Sequence, residues 1–214
     1  MRIRLNLTRP TKPPKLVLEL LAAALWVAPN LVYAQSKAID VNQSALKIRV
    51  FKSGAFSGFA HDHEIQAPIA EGRIEEGKTE EGKTGEAKNQ SVQLRVDSRK
   101  LRVLDPELSS DKRAEIQQTM QSAKVLDVEK FPEIAYQSTG VTAMGNARWQ
   151  VRGTLSLHGT NQPVVVEVWL QDGHYRGSAS FRQTTFGITP ITIAGGAIKV
   201  KDEIKIEFDI VPAK

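Results

Sequence analysis

The chain is predicted to fold mainly as one antiparallel β-sheet domain. Apolar and polar residues alternate with a period of two through several segments, as in strands with one covered face. Polar turn signals separate these segments at regular intervals, which favours a single sheet, either curled into a barrel or split into a sandwich. Cysteine is absent, so disulfides and cysteine metal sites are excluded and stability must come from an apolar core.

Residues 1–34 have the features of a secretory signal peptide. Residues 1–15 carry five basic residues and no acid, an apolar run follows at residues 20–28, and Val32-Tyr33-Ala34 offers a cleavage site before Gln35. The run is shorter than the roughly 20 apolar residues that a bilayer span needs. We therefore expect cleavage rather than a retained anchor, leaving a single domain at residues 35–214, in the periplasm or outside the cell.

Removal of this segment changes the charge balance. The full chain has 29 Lys+Arg and 24 Asp+Glu, and loss of five basic residues and one acid leaves 24 against 23. Binding to nucleic acid needs a basic surplus. A nucleic-acid partner is therefore not expected, and no later segment is long and apolar enough to span a membrane.

The alternation and the turns predict the elements in order. Strands are expected at about residues 46–50, 92–96, 133–141, 148–157, 163–171, 175–183 and 204–210. Turns are expected at Gly145-Asn146, Asn161-Gln162-Pro163 and Asp172-Gly173.

Two segments interrupt the strand pattern. Residues 71–90 are rich in charge, contain the pentamer Glu-Glu-Gly-Lys-Thr twice and are interpreted as a flexible loop insert, not as a calcium site. Residues 110–124 are predicted to form a short helix, with Ser110 or Asp111 as its cap. Because Ile116, Met120 and Ala123 share one face, we expect this helix to pack across the sheet and shut one side or end of it.

Short motifs distributed along the chain form a recognisable series. They are Ile39-Asp40 with Ser44; Phe131-Pro132-Glu133-Ile134 with Tyr136, Ser138 and Thr139; Val151-x-Gly153-x-Leu155-x-Leu157-His158-Gly159; Pro163-Val164; Phe186-Gly187-Ile188; and Asp202-Glu203-Ile204-x-Ile206. In this order they resemble the YceI family over residues 38–211. The resemblance implies an extended, lipocalin-like antiparallel β-barrel, exported to the periplasm, that binds a polyisoprenoid or similar lipid in an apolar tunnel. The chain departs from the family at Ala60-His61-Asp62-His63-Glu64-Ile65 and in the charged insert, which leaves the tunnel mouth and the ligand open.

The apolar residues of the alternating strands are the candidate lining of such a tunnel. The pattern alone fits equally well a filled barrel, as in a structural or adhesion module, and the resemblance favours a cavity. The candidates are Leu46, Ile48, Val50, Leu94, Val96, Ile134, Tyr136, Leu155, Leu157, Val164, Val166, Val168, Ile204, Ile206 and Phe208.

Four polar residues are candidates for contact with a ligand head group, namely His61, His63, Arg148 and Arg182. Residues two apart on a strand point to the same side, so His61 and His63 could reach one head group or, as a weaker interpretation, one metal ion. The alternative function is therefore a metal- or haem-associated redox or stress protein. No resident cofactor is expected under the favoured interpretation.

The remaining polar residues do not indicate catalysis. His158-Gly159 is interpreted as a structural turn in which the imidazole bonds to backbone, and His174 as an exposed turn residue. A G-x-S-x-G nucleophile motif, a defined carboxylate pair and a phosphate-binding glycine loop are all missing from the sequence. A non-enzymatic lipid-binding protein is expected, and the sequence leaves open whether it is a monomer or a homodimer.

Overall fold

The computed structural model describes residues 35–54, 62–77 and 84–213, and the elements below lie within these ranges. The strands are β1 (Gln35–Ala38), β2 (Ala45–Ser53), β3 (His63–Gln66), β4 (Ile69–Glu76), β5 (Thr84–Glu86), β6 (Ser91–Asp97), β7 (Arg102–Val103), β8 (Glu133–Gly145), β9 (Arg148–Leu157), β10 (Thr160–Gln171), β11 (His174–Arg182), β12 (Thr192–Ile193) and β13 (Ile198–Ile210). The α-helix α1 spans Ser110–Gln121. Among the described helices none is long and apolar enough to cross a bilayer. The predicted signal peptide lies outside the described residues.

The strands form one antiparallel sheet whose main path is β1-β4-β6-β8-β9-β10-β11-β13-β2-β3-β7. This path closes on itself because only Ala67 and Pro68 separate β3, which pairs with β2, from β4, which pairs with β6. Backbone hydrogen bonds from Ile39 to the Gly72 carbonyl and from Asp40 to the Val211 carbonyl strengthen the closure. The predicted antiparallel barrel with one helix is thereby confirmed.

Two-residue turns fix the register of the four longest consecutive strands, β8 to β11. The turn residues are Asn146-Ala147, His158-Gly159 and Asp172-Gly173, and each has a positive φ, as type I′ turns require. The turn predicted at Asn161-Gln162-Pro163 is wrong, because these residues belong to β10, where Pro163 lies opposite Thr154. The turn falls earlier because His158 and Gly159 adopt the left-handed conformation.

The prediction of a loop over the whole of residues 71–90 is also wrong at both flanks. Strand β4 continues to Glu76, and β5 pairs with β8. Ile74 accounts for the first difference, since it packs on the cluster of Ile39, Ile69 and Ile210 while the preceding Arg73 is exposed. Residues 78–83, at the centre of the predicted insert, lie outside the described residues.

Helix α1 begins at Ser110 as predicted, but its N-cap lies one residue before the predicted caps and it ends earlier than predicted. Ser109 is the N-cap and accepts a hydrogen bond from the Lys112 amide at 3.4 Å. The backbone becomes extended at Ser122, so Ala123 lies past the helix and is exposed. Met120 is buried, and Ile116 packs beside it against the barrel.

One end of the barrel is packed solid, and we call it the closed end. The turn at Gln183–Phe186 folds over it, and Phe186 is fully buried among Leu155, Leu157 and Ile188. Helix α1 covers the neighbouring part, where Leu101 is 1% exposed. The opposite end, at which β4 ends and β9 and β11 begin, is called the open end.

Candidate functional site

The barrel contains a cavity of about 430 Å³, a volume within the range of small-molecule binding sites. Side chains from eight strands, β2, β4, β6, β8, β9, β10, β11 and β13, form most of its wall, and these side chains are mostly apolar. The cavity reaches the protein surface at the open end, where Leu170 lies on its wall and is 39% exposed. The interior is thus hollow toward one end and filled toward the other.

Eleven of the fifteen residues predicted to line a tunnel lie on this wall. They are Leu46, Leu94, Val96, Ile134, Tyr136, Leu155, Val164, Val166, Val168, Ile206 and Phe208. Most of them are only half-buried although they point into the barrel. Inward-facing side chains remain accessible because they border empty space.

The other four predicted residues, Ile48, Val50, Leu157 and Ile204, are not on the wall. Val50 pairs with Ile204 in the register of β2 and β13, and Leu157 ends β9, so these positions lie toward the closed end. Leu157 is part of the buried cluster around Phe186. These residues fill the barrel instead of bordering the cavity.

Close approach to glycine keeps two aromatic rings against the wall. A Cβ atom on Gly153 would lie 2.4 Å from Cζ of Tyr136, and one on Gly177 would lie 2.4 Å from Cζ of Phe208. The Tyr136 hydroxyl donates to the backbone carbonyls of Val151 and Val164. The rings therefore lie over glycines of neighbouring strands and leave the centre of the barrel free.

Polar side chains on the wall are concentrated at the open end, and we call this group the rim. It comprises Glu75, Glu76, Gln90, Ser91, Trp149 and Tyr175. The Tyr175 hydroxyl donates to Oε1 of Glu76 at 2.8 Å, and Lys37 Nζ lies 2.7 Å from Oε2 of the same carboxylate. Ser91 Oγ donates to Oε2 of Glu75 at 2.9 Å.

These contacts shift the pKa values of Glu76 and Tyr175. Partial burial alone would raise the pKa of Glu76, but the hydrogen bonds from Lys37 and Tyr175 and the charge of Lys37 together lower it below its ordinary value. Burial and the bond to Glu76 raise the pKa of Tyr175. The phenol consequently remains protonated and donates to an ionised carboxylate.

Trp149 brings a further polar atom to the rim. Its indole Nε1–H is buried and finds no acceptor among the described residues. The ring packs edge-on against Tyr175, with centroids 6.0 Å apart. A buried donor without an acceptor costs about 1–3 kcal/mol, so a ligand oxygen entering the rim is a candidate partner.

None of the three predicted head-group residues that the structure describes lies on the cavity wall. His63 Nδ1 is 2.6 Å from Oδ2 of Asp105, which is 1% exposed and also accepts the Glu64 amide. Arg148 and Arg182 are exposed. His61 lies outside the described residues.

The structure accounts for the other histidines by local contacts. His158 has its Nδ1 3.2 Å from the Phe186 carbonyl, as expected for a structural turn. His174 was predicted to be merely exposed, but its Nδ1 lies 2.6 Å from Oδ1 of Asp209. Within the described part of the chain no three His, Asp or Glu side chains are grouped to hold a metal ion.

Comparison with known proteins gives consistent results. The family described as YceI-like domain matches residues 38–212. A UPF0312 protein of Vibrio cholerae is 30% identical over 127 residues, which are 55% of this chain and 61% of that protein. A UPF0312 protein of Pseudomonas syringae is 33% identical over 85 residues, 35% of this chain and 44% of that protein. The chain thus spans about three fifths or less of the length of these relatives.

A solved structure shares the fold. The crystal structure of Burkholderia cenocepacia BcnA superposes with a TM-score of 0.61 at 16% identity, over 82% of this chain and 99% of that one. At this identity the likeness concerns the architecture alone. Because the family match extends over nearly the whole described barrel, the chain belongs to the YceI-like family.

Proposed function

We propose that this protein is a non-catalytic carrier that holds one long-chain apolar amphiphile, a polyisoprenoid or related lipid, inside the barrel. The observation that supports it most directly is the apolar cavity of about 430 Å³ that ends blindly at the closed end and meets polar side chains at the rim. An amphiphile has the same division into an apolar chain and a polar end. A filled structural barrel would have no such space.

The volume of the cavity limits the length of apolar chain that it can enclose. At about 30 Å³ for each water-sized group, the cavity accommodates a chain of roughly 15 carbons. Burial contributes about 0.8 kcal/mol per methylene, or about 12 kcal/mol in all, and association costs at least about 4 kcal/mol. At most about 8 kcal/mol remains, which corresponds to a Kd of about 1 μM or weaker.

Two neighbouring valines offer a matched test of this proposal. Val166 is on the cavity wall, and Val165 is on the outer face, 48% exposed. We expect Val166→Phe to weaken the binding of farnesol at least tenfold, because the ring occupies the cavity, whereas Val165→Phe leaves affinity unchanged. Titration of the intrinsic tryptophan fluorescence measures both.

Failure of the unsubstituted protein to bind farnesol, or equal binding by the two variants, would contradict the carrier. Circular dichroism melting curves verify that both variants are folded. Native mass spectrometry of protein from its original host adds an independent readout, an apolar adduct that survives purification.

We also propose that the protein acts in the periplasm after cleavage before Gln35. The basic and apolar character of residues 1–34 supports this. The intact mass of protein recovered from a periplasmic fraction should correspond to residues 35–214. Recovery of the uncleaved chain in the membrane fraction would count against export.

A further inference from the structure

We propose that the rim selects amphiphiles with an uncharged oxygen head group, such as an alcohol, a phenol or a carbonyl, against those ending in phosphate or diphosphate, and that Glu76 sets this preference. The inference rests on the proposed carrier function and names the class of its ligand.

The first observation is the sign of the charges at the cavity. Among the described residues the wall includes the carboxylate of Glu76 and neither lysine nor arginine. Proteins that bind phosphate groups present cationic side chains or converging backbone N–H groups to them. In the described part of the chain, the wall thus offers an anionic head group no cationic side chain.

The second observation is that three described cations near the rim, Lys37, Arg176 and Arg148, are engaged or face outward, while Lys88 is exposed and not on the wall. Lys37 Nζ lies 2.7 Å from the Glu76 carboxylate, so the pair is close to neutral. Arg176 Nε lies 2.9 Å from Oδ2 of Asp209, on the outer side of β11 between the inward-facing Tyr175 and Gly177. Arg148 precedes the wall residue Trp149, and successive strand residues point to opposite faces. Glu75 lies between the inward-facing Ile74 and Glu76, so by the same alternation its side chain, which is bonded to Ser91, faces outward, and Glu76 is the carboxylate that a head group would meet.

The third observation concerns hydrogen bonding. The Trp149 indole donor is buried and unpaired among the described residues, and the Tyr175 hydroxyl beside it is committed to Glu76. A hydroxyl or carbonyl oxygen satisfies one such donor without carrying charge. A diphosphate brings several negative oxygens to a rim with one vacant neutral donor and an ionised carboxylate.

Two ligands with the same hydrocarbon tail and different head groups test the inference directly. Farnesol and farnesyl diphosphate have identical fifteen-carbon tails and differ only in the head group. We expect the purified protein to bind farnesol at least tenfold more tightly than the diphosphate. Replacement of Glu76 by Gln should reduce this ratio at least threefold, because it removes the repelling charge and frees Lys37.

Glu86→Gln is the control, because it makes the same change of net charge at a carboxylate that is 82% exposed and not on the wall. We expect it to leave the ratio unchanged. Trp149→Phe keeps the ring and removes the donor, and it should weaken farnesol binding about fivefold.

The possible outcomes distinguish the carrier function from the head-group preference. If neither compound binds the unsubstituted protein, the carrier function itself is overturned. If the diphosphate binds as tightly as farnesol or more tightly, the head-group preference is overturned while the carrier stands. A ratio that Glu76→Gln and Glu86→Gln change equally would overturn the role of Glu76, and unchanged farnesol affinity in Trp149→Phe would overturn that of the indole donor.

Discussion

At the scale of single residues, two glycines help determine how much of the barrel stays empty. Gly153 and Gly177 lie on inward-facing positions where a side chain would otherwise stand, and the rings of Tyr136 and Phe208 occupy that place instead. The rings thereby cover backbone and border the cavity with apolar surface. Their placement against the wall follows from the absence of a Cβ atom on the neighbouring strand.

Gly177→Ala tests this arrangement. The new Cβ would lie 2.2 Å from the Glu167 carbonyl oxygen and 2.4 Å from the Phe208 ring, so both must shift. Overpacking of this kind costs about 1–3 kcal/mol, and displacement of the ring into the cavity should weaken farnesol binding. Denaturant unfolding and fluorescence titration measure the two effects.

Gly140→Ala serves as the comparison for that variant. Its Cβ would meet only the flexible end of Arg152, at 3.2 Å. We expect a change in unfolding free energy within about 0.5 kcal/mol. Equal effects at the two glycines would show that the Phe208 contact is unimportant.

The lowered pKa of Glu76 predicts that the free energy of unfolding depends on pH. Its pKa in the folded protein is lowered from the ordinary 4.5, so folding favours the ionised form. The resulting stabilisation is complete well above pH 4.5 and is lost as the pH falls from 4.5 through the folded-state pKa. The unfolding free energy of Glu76→Gln should therefore be lower than that of the unsubstituted protein at pH 7, and the gap should shrink below pH 4.5.

Urea unfolding at pH 7, 5, 4 and 3 measures this gap. Other carboxylates with lowered pKa values, including Asp209 and Glu207, titrate in both proteins and cancel in the difference. A gap that stays constant with pH would contradict the assigned ionisation of Glu76.

Sequence alternation predicted inward-facing residues such as Val166 and Phe208, but the rim residues were missed. Glu76 and Tyr175 are 99 positions apart and meet only in the closed barrel. His63 likewise has its partner Asp105 42 positions away. The period of two was the one available signal. It places Trp149 on the same face of β9 as Val151, and Tyr175 on the same face of β11 as Gly177.

At the scale of elements, helix α1 is joined to the short edge strand β7 by one side chain. Gln117 Oε1 accepts the Val103 amide at 2.9 Å, and its Nε2 donates to the Leu101 carbonyl at 2.8 Å. An amide side chain here replaces the strand that would otherwise pair with this edge. The helix thus provides hydrogen-bond partners for backbone groups that no neighbouring strand pairs with.

We expect Gln117→Ala to lower the unfolding free energy by about 1–3 kcal/mol, because it leaves the amide of the buried Val103 and the carbonyl of the buried Leu101 without this partner. The neighbouring Gln118 is exposed. Gln118→Ala makes the same chemical change on the outer face and should shift the value by less than about 0.5 kcal/mol. Guanidinium unfolding curves compare the two, and equal losses would refute the bridging role.

Most of the long elements were predictable and the short ones were not; the eight-residue β4 was missed, and its alternation is interrupted by the register shift between Ile69 and Glu71. Strands β8 to β11 and the main part of β13 contain enough alternating residues for the period to emerge. Strands β1, β5, β7 and β12 have two to four residues each, too few to define a period. Their pairing depends on partners elsewhere in the chain.

At the scale of the whole molecule, the sequence predicted the barrel but not the extent of its cavity. Ile48 and Ile206 lie opposite each other in the register and have the same apolar, inward pattern. Ile206 borders the cavity, whereas Ile48 packs on the buried cluster beside α1. The difference depends on which end of the barrel the helix and the Gln183–Phe186 turn cover, and period-two patterning carries no information on that.

The packing of Phe186 at the closed end of the barrel has a consequence for ligand entry and release. Under the proposed carrier function, a ligand would enter the cavity apolar end first and leave through the open end, which is where the described residues bring the cavity to the surface. The polar end of such a ligand would then lie at the rim, beside Trp149 and Tyr175. If the carrier function holds, a protein that docks on the rim would contact this polar end only when the barrel is occupied.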